Sequence, residues 1–190
     1  DARVVLLAPP DFERWEVLDG HERSVQAMVA GPDGSWLASA GYDTDIRMWA
    51  MPESGALPDI PGIGTSVNAL AVAADGSWLA ASGQGSDAVQ IRAVPDGELL
   101  MELPLPHGAT ALATAPDGSW LASGGIDGVI RVWSMPAGKP RVEIATGQDE
   151  VLALAASPDG LLLASGGSDG TILLWSMPDG TETACLLDLA

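Results

Sequence analysis

The sequence predicts an all-β fold made of repeated four-stranded antiparallel units, because two independent markers recur along the chain with almost the same period. The first marker is a Pro-Asp-Gly-Ser-Trp turn or a close variant of it, whose aspartates are Asp33, Asp75, Asp117 and Asp159. The second marker is a proline that closes an apolar alternating segment, found at Pro10, Pro52, Pro95, Pro136 and Pro178. A step of about 42 residues is typical of the blades of a β-propeller.

The segments between the markers are too short for helices and alternate in the manner of β-strands. In the third unit they predict strand a at residues 109–115, strand b at 120–124, strand c at 129–133 and strand d at 141–144. We expect Trp36, Trp78 and Trp120 to open strand b in three successive units. In strand c, Ile130 and Trp133 are expected on opposite faces of the sheet.

The repeat divides the chain into one propeller domain of about four and a half blades. Residues 21–62, 63–104, 105–146 and 147–190 form blades 1 to 4, and residues 1–20 align with strands c and d of a further blade. Strands a and b of that blade are expected to be absent, which predicts an incomplete ring. An unpaired inner strand exposes backbone groups, so we expect the missing blades to come from the same chain or from another copy.

The charge of the chain narrows the classes of partner. With 26 acidic and 8 basic residues, the net charge is −18. A field of this sign repels phosphate backbones and anionic lipid headgroups, so neither nucleic acid nor a membrane is expected as a partner. No apolar run approaches the ~18 residues that cross a bilayer. The single cysteine, Cys185, cannot form an intramolecular disulfide; it is expected to be buried, and it favours a reducing, cytoplasmic location.

The start of blade 1 carries a motif that is more specific than the period of the repeat. Gly20-His21 precedes strand a, Asp43 lies in the turn between strands b and c, and Trp49 follows six residues later. This pattern resembles the WD40 repeats, in which a His, a Ser, an Asp and a Trp form a buried hydrogen-bonded network. The resemblance assigns that network to His21, Ser39, Asp43 and Trp49. It assigns partial networks to Ser123, Asp127, Trp133, Ser165, Asp169 and Trp175.

The other blades depart from this pattern. Ile63, Leu105 and Gly147 fall near the His position, so only one complete network is expected. Blade 2 is the most divergent, because Arg92 stands where the other blades have Trp and its turn between strands b and c has a different length.

Catalytic and metal chemistry is not expected. Residues 166–170, Gly-Gly-Ser-Asp-Gly, match the nucleophile elbow of hydrolases, but the elbow requires a helix after the serine and a strand is predicted there. His21 and His107 are too few and too far apart for a metal site or a catalytic triad. The sequence therefore predicts no enzyme, no cofactor and no metal.

The resemblance implies a scaffold that binds a protein or peptide partner and belongs to a larger bacterial regulatory or signalling protein. The blade entrances and the turns between strands b and c are expected on one face of the disc. Candidate partner contacts, which differ between blades, are Arg23, Ser24, Tyr42, Gln84, Ser86, Ile126, Glu150 and Ser168. Two alternatives stay open: an assembly unit that completes a ring by oligomerisation, and the non-catalytic region of an enzyme whose active site lies outside this segment.

Overall fold

The computed structural model describes residues 2–8, 13–51, 57–83 and 85–187, and within these ranges the chain contains β-strands and no helix. The strands are β1 Arg3–Ala8, β2 Glu13–Asp19, β3 Val25–Ala30, β4 Trp36–Gly41, β5 Ile46–Ala50, β6 Ala69–Val72, β7 Trp78–Ser82, β8 Ala88–Ala93, β9 Leu99–Pro104, β10 Ala111–Thr114, β11 Trp120–Gly124, β12 Val129–Ser134, β13 Lys139–Ala145, β14 Val151–Ala156, β15 Leu162–Gly167, β16 Ile172–Ser176 and β17 Thr181–Leu187.

The strands form five antiparallel sheets in which sequence neighbours pair. Blades 2, 3 and 4 are the four-stranded sheets β6–β9, β10–β13 and β14–β17, and blade 1 is the three-stranded sheet β3–β5. The hairpin β1–β2 is called the half-blade below. The first strands of blades 1 to 4 contact one another in series, so they form the inner edge of the arc. This is the predicted propeller of antiparallel blades.

Blade 1 departs from the four-stranded plan. Residues 57–60 lie beside β5 in the place of strand d, where Leu57 N–H donates to Met48 O at 3.0 Å and Ile60 N–H donates to Ile46 O at 3.1 Å. The pairing is a single bridge, Ile46 with Ile60, and not a ladder. Pro58 has no N–H to donate, and neither has the proline that follows Ile60. Pro58 therefore removes one backbone donor next to β5, and a single bridge stands in the place of the fourth strand.

The repeated turn has the same geometry in all four blades. Its glycine takes φ values of 73°, 74°, 73° and 71° at Gly34, Gly76, Gly118 and Gly160. The left-handed region disfavours residues with a Cβ, so glycine is the favoured residue at this point of the turn. The turn aspartate accepts a backbone hydrogen bond from the residue two positions later. Trp36, Trp78 and Trp120 each begin strand b directly after it, as predicted.

The apolar core lies between blades. In strand c of blade 3, Ile130 and Val132 join the cluster shared with blade 4, whereas Trp133 joins the cluster shared with blade 2. The predicted alternation of Ile130 and Trp133 is therefore confirmed. The Thr114 hydroxyl adds a polar tie between blades by donating to Val72 O at 2.9 Å.

The expectation of a buried cysteine is wrong, because Cys185 is exposed. Cys185 lies one period after Glu143, which is exposed on strand d of blade 3. This position on the outermost strand faces solvent in both blades. In the described part of the chain, no helix has the length and apolar character that a membrane span requires.

Candidate partner-binding face and its polar networks

A buried polar network joins the entrance of blade 1 to its strands b and c. His21 Nδ1 lies 2.7 Å from Asp43 Oδ2, and His21 Nε2 lies 2.7 Å from Ser39 Oγ. The Trp49 indole N–H donates to the same hydroxyl at 3.0 Å. Because the carboxylate can only accept, Nδ1 carries the hydrogen in this arrangement, and the Ser39 hydroxyl donates to Nε2. The structure thus brings together the four residues that the family resemblance grouped.

Asp43 is held ionised by this network. Burial of the carboxylate would raise its pKa, but the hydrogen bonds from His21 and from the backbone N–H of Glu22 at 2.9 Å outweigh it. The pKa of Asp43 is therefore lower than the ordinary value of 3.8. Because the same carboxylate oxygen holds both His21 and Glu22, it fixes the blade entrance against the turn between strands b and c.

Blade 4 has a second network, which the sequence analysis missed. Gln148 Oε1 accepts from Ser165 Oγ at 2.9 Å, and the Trp175 indole N–H donates to that hydroxyl at 3.0 Å. The Gln148 amide also donates to the backbone oxygen and hydroxyl of Thr171, at 3.1 and 2.9 Å. This network differs from the one assigned to blade 1: a glutamine amide accepts from the serine hydroxyl and donates to Thr171, and Asp169 contacts Thr171 and not Gln148. Gln148 lies one residue beyond Gly147, the position that was compared with His21.

The turn aspartates of blades 3 and 4 make other contacts. Asp127 Oδ2 pairs with Arg131 at 2.8 Å, and its Oδ1 accepts from Val129 N–H. Asp169 Oδ1 accepts from the backbone and hydroxyl of Thr171. In the described residues Ser123 Oγ is buried without a hydrogen-bond partner.

Blade 2 confirms the predicted substitution in strand c. Leu79 pairs with Arg92 in the register in which Leu37 pairs with Trp49. The guanidinium reaches Gly97 O at 3.0 Å and Gln90 Oε1 at 2.7 Å. Five residues separate β7 from β8, whereas four separate β4 from β5, so the predicted difference in turn length is present.

The candidate partner contacts fall on the entrances and turns of the blades. Tyr42 N–H donates to Ser24 O at 3.1 Å, and Ser168 N–H donates to Glu150 O at 3.0 Å, so these four candidates form two adjacent pairs. Tyr42 is 47% exposed. Arg23 and Ser168 are also exposed, whereas Ser24, Ser86, Ile126 and Glu150 are half-buried. Gln84 lies outside the described residues.

Backbone hydrogen bonds on this face also connect neighbouring blades. Val67 N–H at the start of blade 2 donates to Gly41 O of blade 1 at 3.0 Å, and Val151 N–H of blade 4 donates to Gly125 O of blade 3 at 3.0 Å. These bonds connect the entrance of blade 2 to blade 1 and the entrance of blade 4 to blade 3, which fixes the relative positions of side chains within each pair of blades. Within the described ranges, no group of three His, Cys, Asp or Glu side chains is placed to hold a metal ion.

Comparison with known proteins agrees with this geometry. The family "WD domain, G-beta repeat" matches residues 13–50, 95–134 and 139–176, which together make up more than half of the chain. The unmatched residues 51–94 contain most of blade 2, where Arg92 replaces the tryptophan. A curated relative, Protein HIR1 of Mycosarcoma maydis, is 31% identical over 55 residues, which cover 29% of this chain and 5% of that protein. Three matched repeats on a propeller of antiparallel blades show that the chain belongs to the WD40 repeat family.

Proposed function

We propose that this chain is a scaffold that binds a protein or peptide partner across the face formed by its blade entrances and the turns between strands b and c. WD40 repeats typically form scaffolds for protein interaction, which supports protein binding as the class of function. We choose this face because it contains Tyr42, an exposed aromatic residue on an ordered turn. The proposal includes a regulatory or signalling role in a larger bacterial protein, which the family resemblance implies.

Tyr42 has the properties of an anchor residue. A tyrosine offers a large apolar ring and a hydroxyl, and such residues are enriched among those that dominate binding energy. Its backbone is bonded to Ser24, and the adjacent Asp43 is held by His21 and Glu22. Because this turn is already ordered in the free protein, a partner loses little free energy in ordering it.

The charge of the chain adds a preference among partners. With a net charge of −18, the protein attracts positively charged segments over long range. Glu22 and Glu150 lie at two blade entrances on the proposed face. We therefore propose that basic peptides associate faster than acidic peptides and that added salt slows this association.

A selection from a random peptide library displayed on phage tests the face directly. Peptides are selected on the intact chain, synthesised, and measured against the Tyr42→Ala variant. Leu100→Ala is the matched control, because Leu100 is equally exposed but lies on the outer strand β9. We expect Tyr42→Ala to weaken binding at least tenfold and Leu100→Ala to leave it unchanged. Peptides that bind both variants equally would place the binding surface elsewhere and contradict the proposal.

A further inference from the structure

Grooves between neighbouring blades recur on the side of the molecule opposite Tyr42. Because the strands of a blade are antiparallel and pair in sequence order, the turns between strands a and b and between strands c and d lie at the ends opposite the blade entrances. We call this surface the turn face. Each groove is lined by the aspartates of two adjacent Pro-Asp-Gly turns, by the tryptophan that begins strand b and by the proline of a turn between strands c and d. The aspartate pairs are Asp33 with Asp75 in groove 1–2, Asp75 with Asp117 in groove 2–3, and Asp117 with Asp159 in groove 3–4.

The two aspartates of groove 2–3 are ordered and charged. Asp75 Oδ1 accepts from the hydroxyl and the backbone N–H of Ser77, at 2.7 and 3.0 Å, and Asp117 Oδ1 accepts from the backbone N–H of Ser119 at 2.9 Å. These hydrogen bonds lower the pKa of Asp75 and of Asp117, so both carboxylates are ionised at neutral pH. Both side chains are exposed, and the groove therefore presents two fixed negative charges to solvent.

The tryptophan of each groove adds a hydrogen-bond donor. Trp36, Trp78 and Trp120 are 9%, 8% and 3% exposed. Among the described residues their indole N–H groups have no acceptor, whereas those of Trp49 and Trp175 donate to buried serines. None of the three free N–H groups is fully buried, so each reaches the solvent in its groove. A groove thus offers an unused donor beside two carboxylates.

Groove 3–4 shows which side chain suits an aspartate pair, because it already contains Arg141. The charge of Arg141 adds to the hydrogen bonds from Ser119 in lowering the pKa of Asp117. Arg141 is the extra residue of a bulge in strand d, and the bulge residue of blade 2 is Leu100, which is 49% exposed. Among the described residues, no basic side chain lines groove 1–2 or groove 2–3. Their volumes are about 560 and 380 Å³, against about 200 Å³ for groove 3–4.

We infer that grooves 1–2 and 2–3 bind an arginine-containing segment of a protein partner, with guanidinium groups at the aspartates and backbone carbonyls at the indole N–H groups of Trp36 and Trp78. A metal ion would use only the carboxylates, whereas a peptide supplies both the cation and the acceptor that these grooves lack. Arginine is favoured over lysine because its planar guanidinium donates to a carboxylate through two parallel N–H groups. This site is separate from the face that contains Tyr42 and does not depend on it.

Fluorescence anisotropy of the full chain with a labelled peptide of alternating arginine and glycine tests the site. The same peptide with citrulline in place of arginine is the uncharged reference and should bind more weakly. Asp75→Asn removes the charge that the two grooves share and keeps an oxygen that can accept from Ser77; we expect binding to weaken about three- to fivefold. Leu100→Arg places a guanidinium at the position of Arg141 and should weaken binding similarly. Asp159→Asn is the matched control, because it changes the charge equally in the groove that Arg141 already lines, and it should leave binding unchanged.

Nitrogen-15 NMR of the tryptophan side chains locates the peptide independently. The indole N–H signals of Trp36 and Trp78, assigned by single Trp→Phe substitutions, are expected to move as the arginine peptide is added. The signals of Trp49 and Trp175 should remain in place, because their N–H groups are bonded to serines inside the blades.

Each other outcome overturns the inference. Equal losses for Asp75→Asn and Asp159→Asn would show that the peptide responds only to the overall charge. Equal binding of the arginine and citrulline peptides would remove the role of the aspartates. If Tyr42→Ala abolishes binding and Asp75→Asn does not, the peptide occupies the opposite face, which would support the proposed function and not this site. The thermal unfolding of every variant is compared with that of the wild type, and Leu100→Arg, at an exposed position, decides the test if Asp75→Asn does not fold.

Discussion

Blades 1 and 3 carry the same three polar residues at the same spacing, but only blade 1 joins them into a network. Ser39 of blade 1 contacts His21 and Trp49. The equivalent Ser123 of blade 3 is fully buried, and its hydroxyl has no partner among the described residues. Asp127, the equivalent of Asp43, pairs instead with Arg131. The serine, the aspartate and the tryptophan therefore do not form a hydrogen-bonded network unless the blade entrance supplies a polar side chain.

Blade 4 supports the same conclusion with different chemistry. Gln148 enters from the blade entrance and meets Ser165, which also accepts from Trp175. An imidazole and a carboxamide share one ability, which is to accept a hydrogen bond at one atom and donate at another. Leu105, near the corresponding place in blade 3, can do neither. The side chain at the entrance thus decides whether a blade closes its polar network.

The largest expected effect is that of His21→Ala. The substitution leaves the buried Asp43 carboxylate and the Ser39 hydroxyl each short of a partner, so we expect the free energy of unfolding to fall by about 2 to 3 kcal/mol. Chemical denaturation measures this loss. His107→Ala is the control, because His107 is an exposed loop residue. An unchanged midpoint for His21→Ala would show that the network contributes nothing to stability.

Gln148→Leu should have a smaller effect in the same direction. The leucine fills a similar volume but removes the acceptor of Ser165 and the donor to Thr171, and neither lost partner is a carboxylate. We expect the free energy of unfolding to fall by about 1 to 2 kcal/mol. Gln148→Glu keeps the acceptor for Ser165. We therefore expect this variant to lose less stability at the Ser165 contact than Gln148→Leu does. If leucine is tolerated without loss, the glutamine is not equivalent to His21.

The smallest expected effect is on how the free energy of unfolding changes with pH in the acid range. Because the pKa of Asp43 is lower in the folded protein than its ordinary value of 3.8, its stabilisation is complete above that value and is lost as the pH falls through the folded pKa. The free energy of unfolding should therefore decline below about pH 4. In Asp43→Asn the free energy of unfolding should decline less steeply with falling pH, by a fraction of one proton. The decline does not vanish, because the aspartates of the repeated Pro-Asp-Gly turns still titrate. Denaturation at several pH values between neutrality and the acid range measures both slopes, and equal slopes would contradict the role given to Asp43.

The repeat made most of the fold predictable. A fixed step placed the turns and Trp36, Trp78 and Trp120, because these depend on local backbone geometry and on alternation along a strand. The same fixed step missed Gln148, since a long side chain one residue further along reaches the same serine. It also missed the contact of Asp127 with Arg131, which depends on the orientation of a side chain. In blade 1 the regular count of strands failed where prolines remove backbone donors.

The central claim, that the entrance residue completes the polar network, is tested most directly by two matched substitutions at equivalent buried serines. Ser39→Ala removes a hydroxyl with two partners, whereas Ser123→Ala removes a hydroxyl with none. We expect Ser39→Ala to lower the free energy of unfolding by about 1 to 3 kcal/mol, and Ser123→Ala to leave it unchanged or to raise it slightly. Equal losses for the two variants in chemical denaturation would contradict the claim.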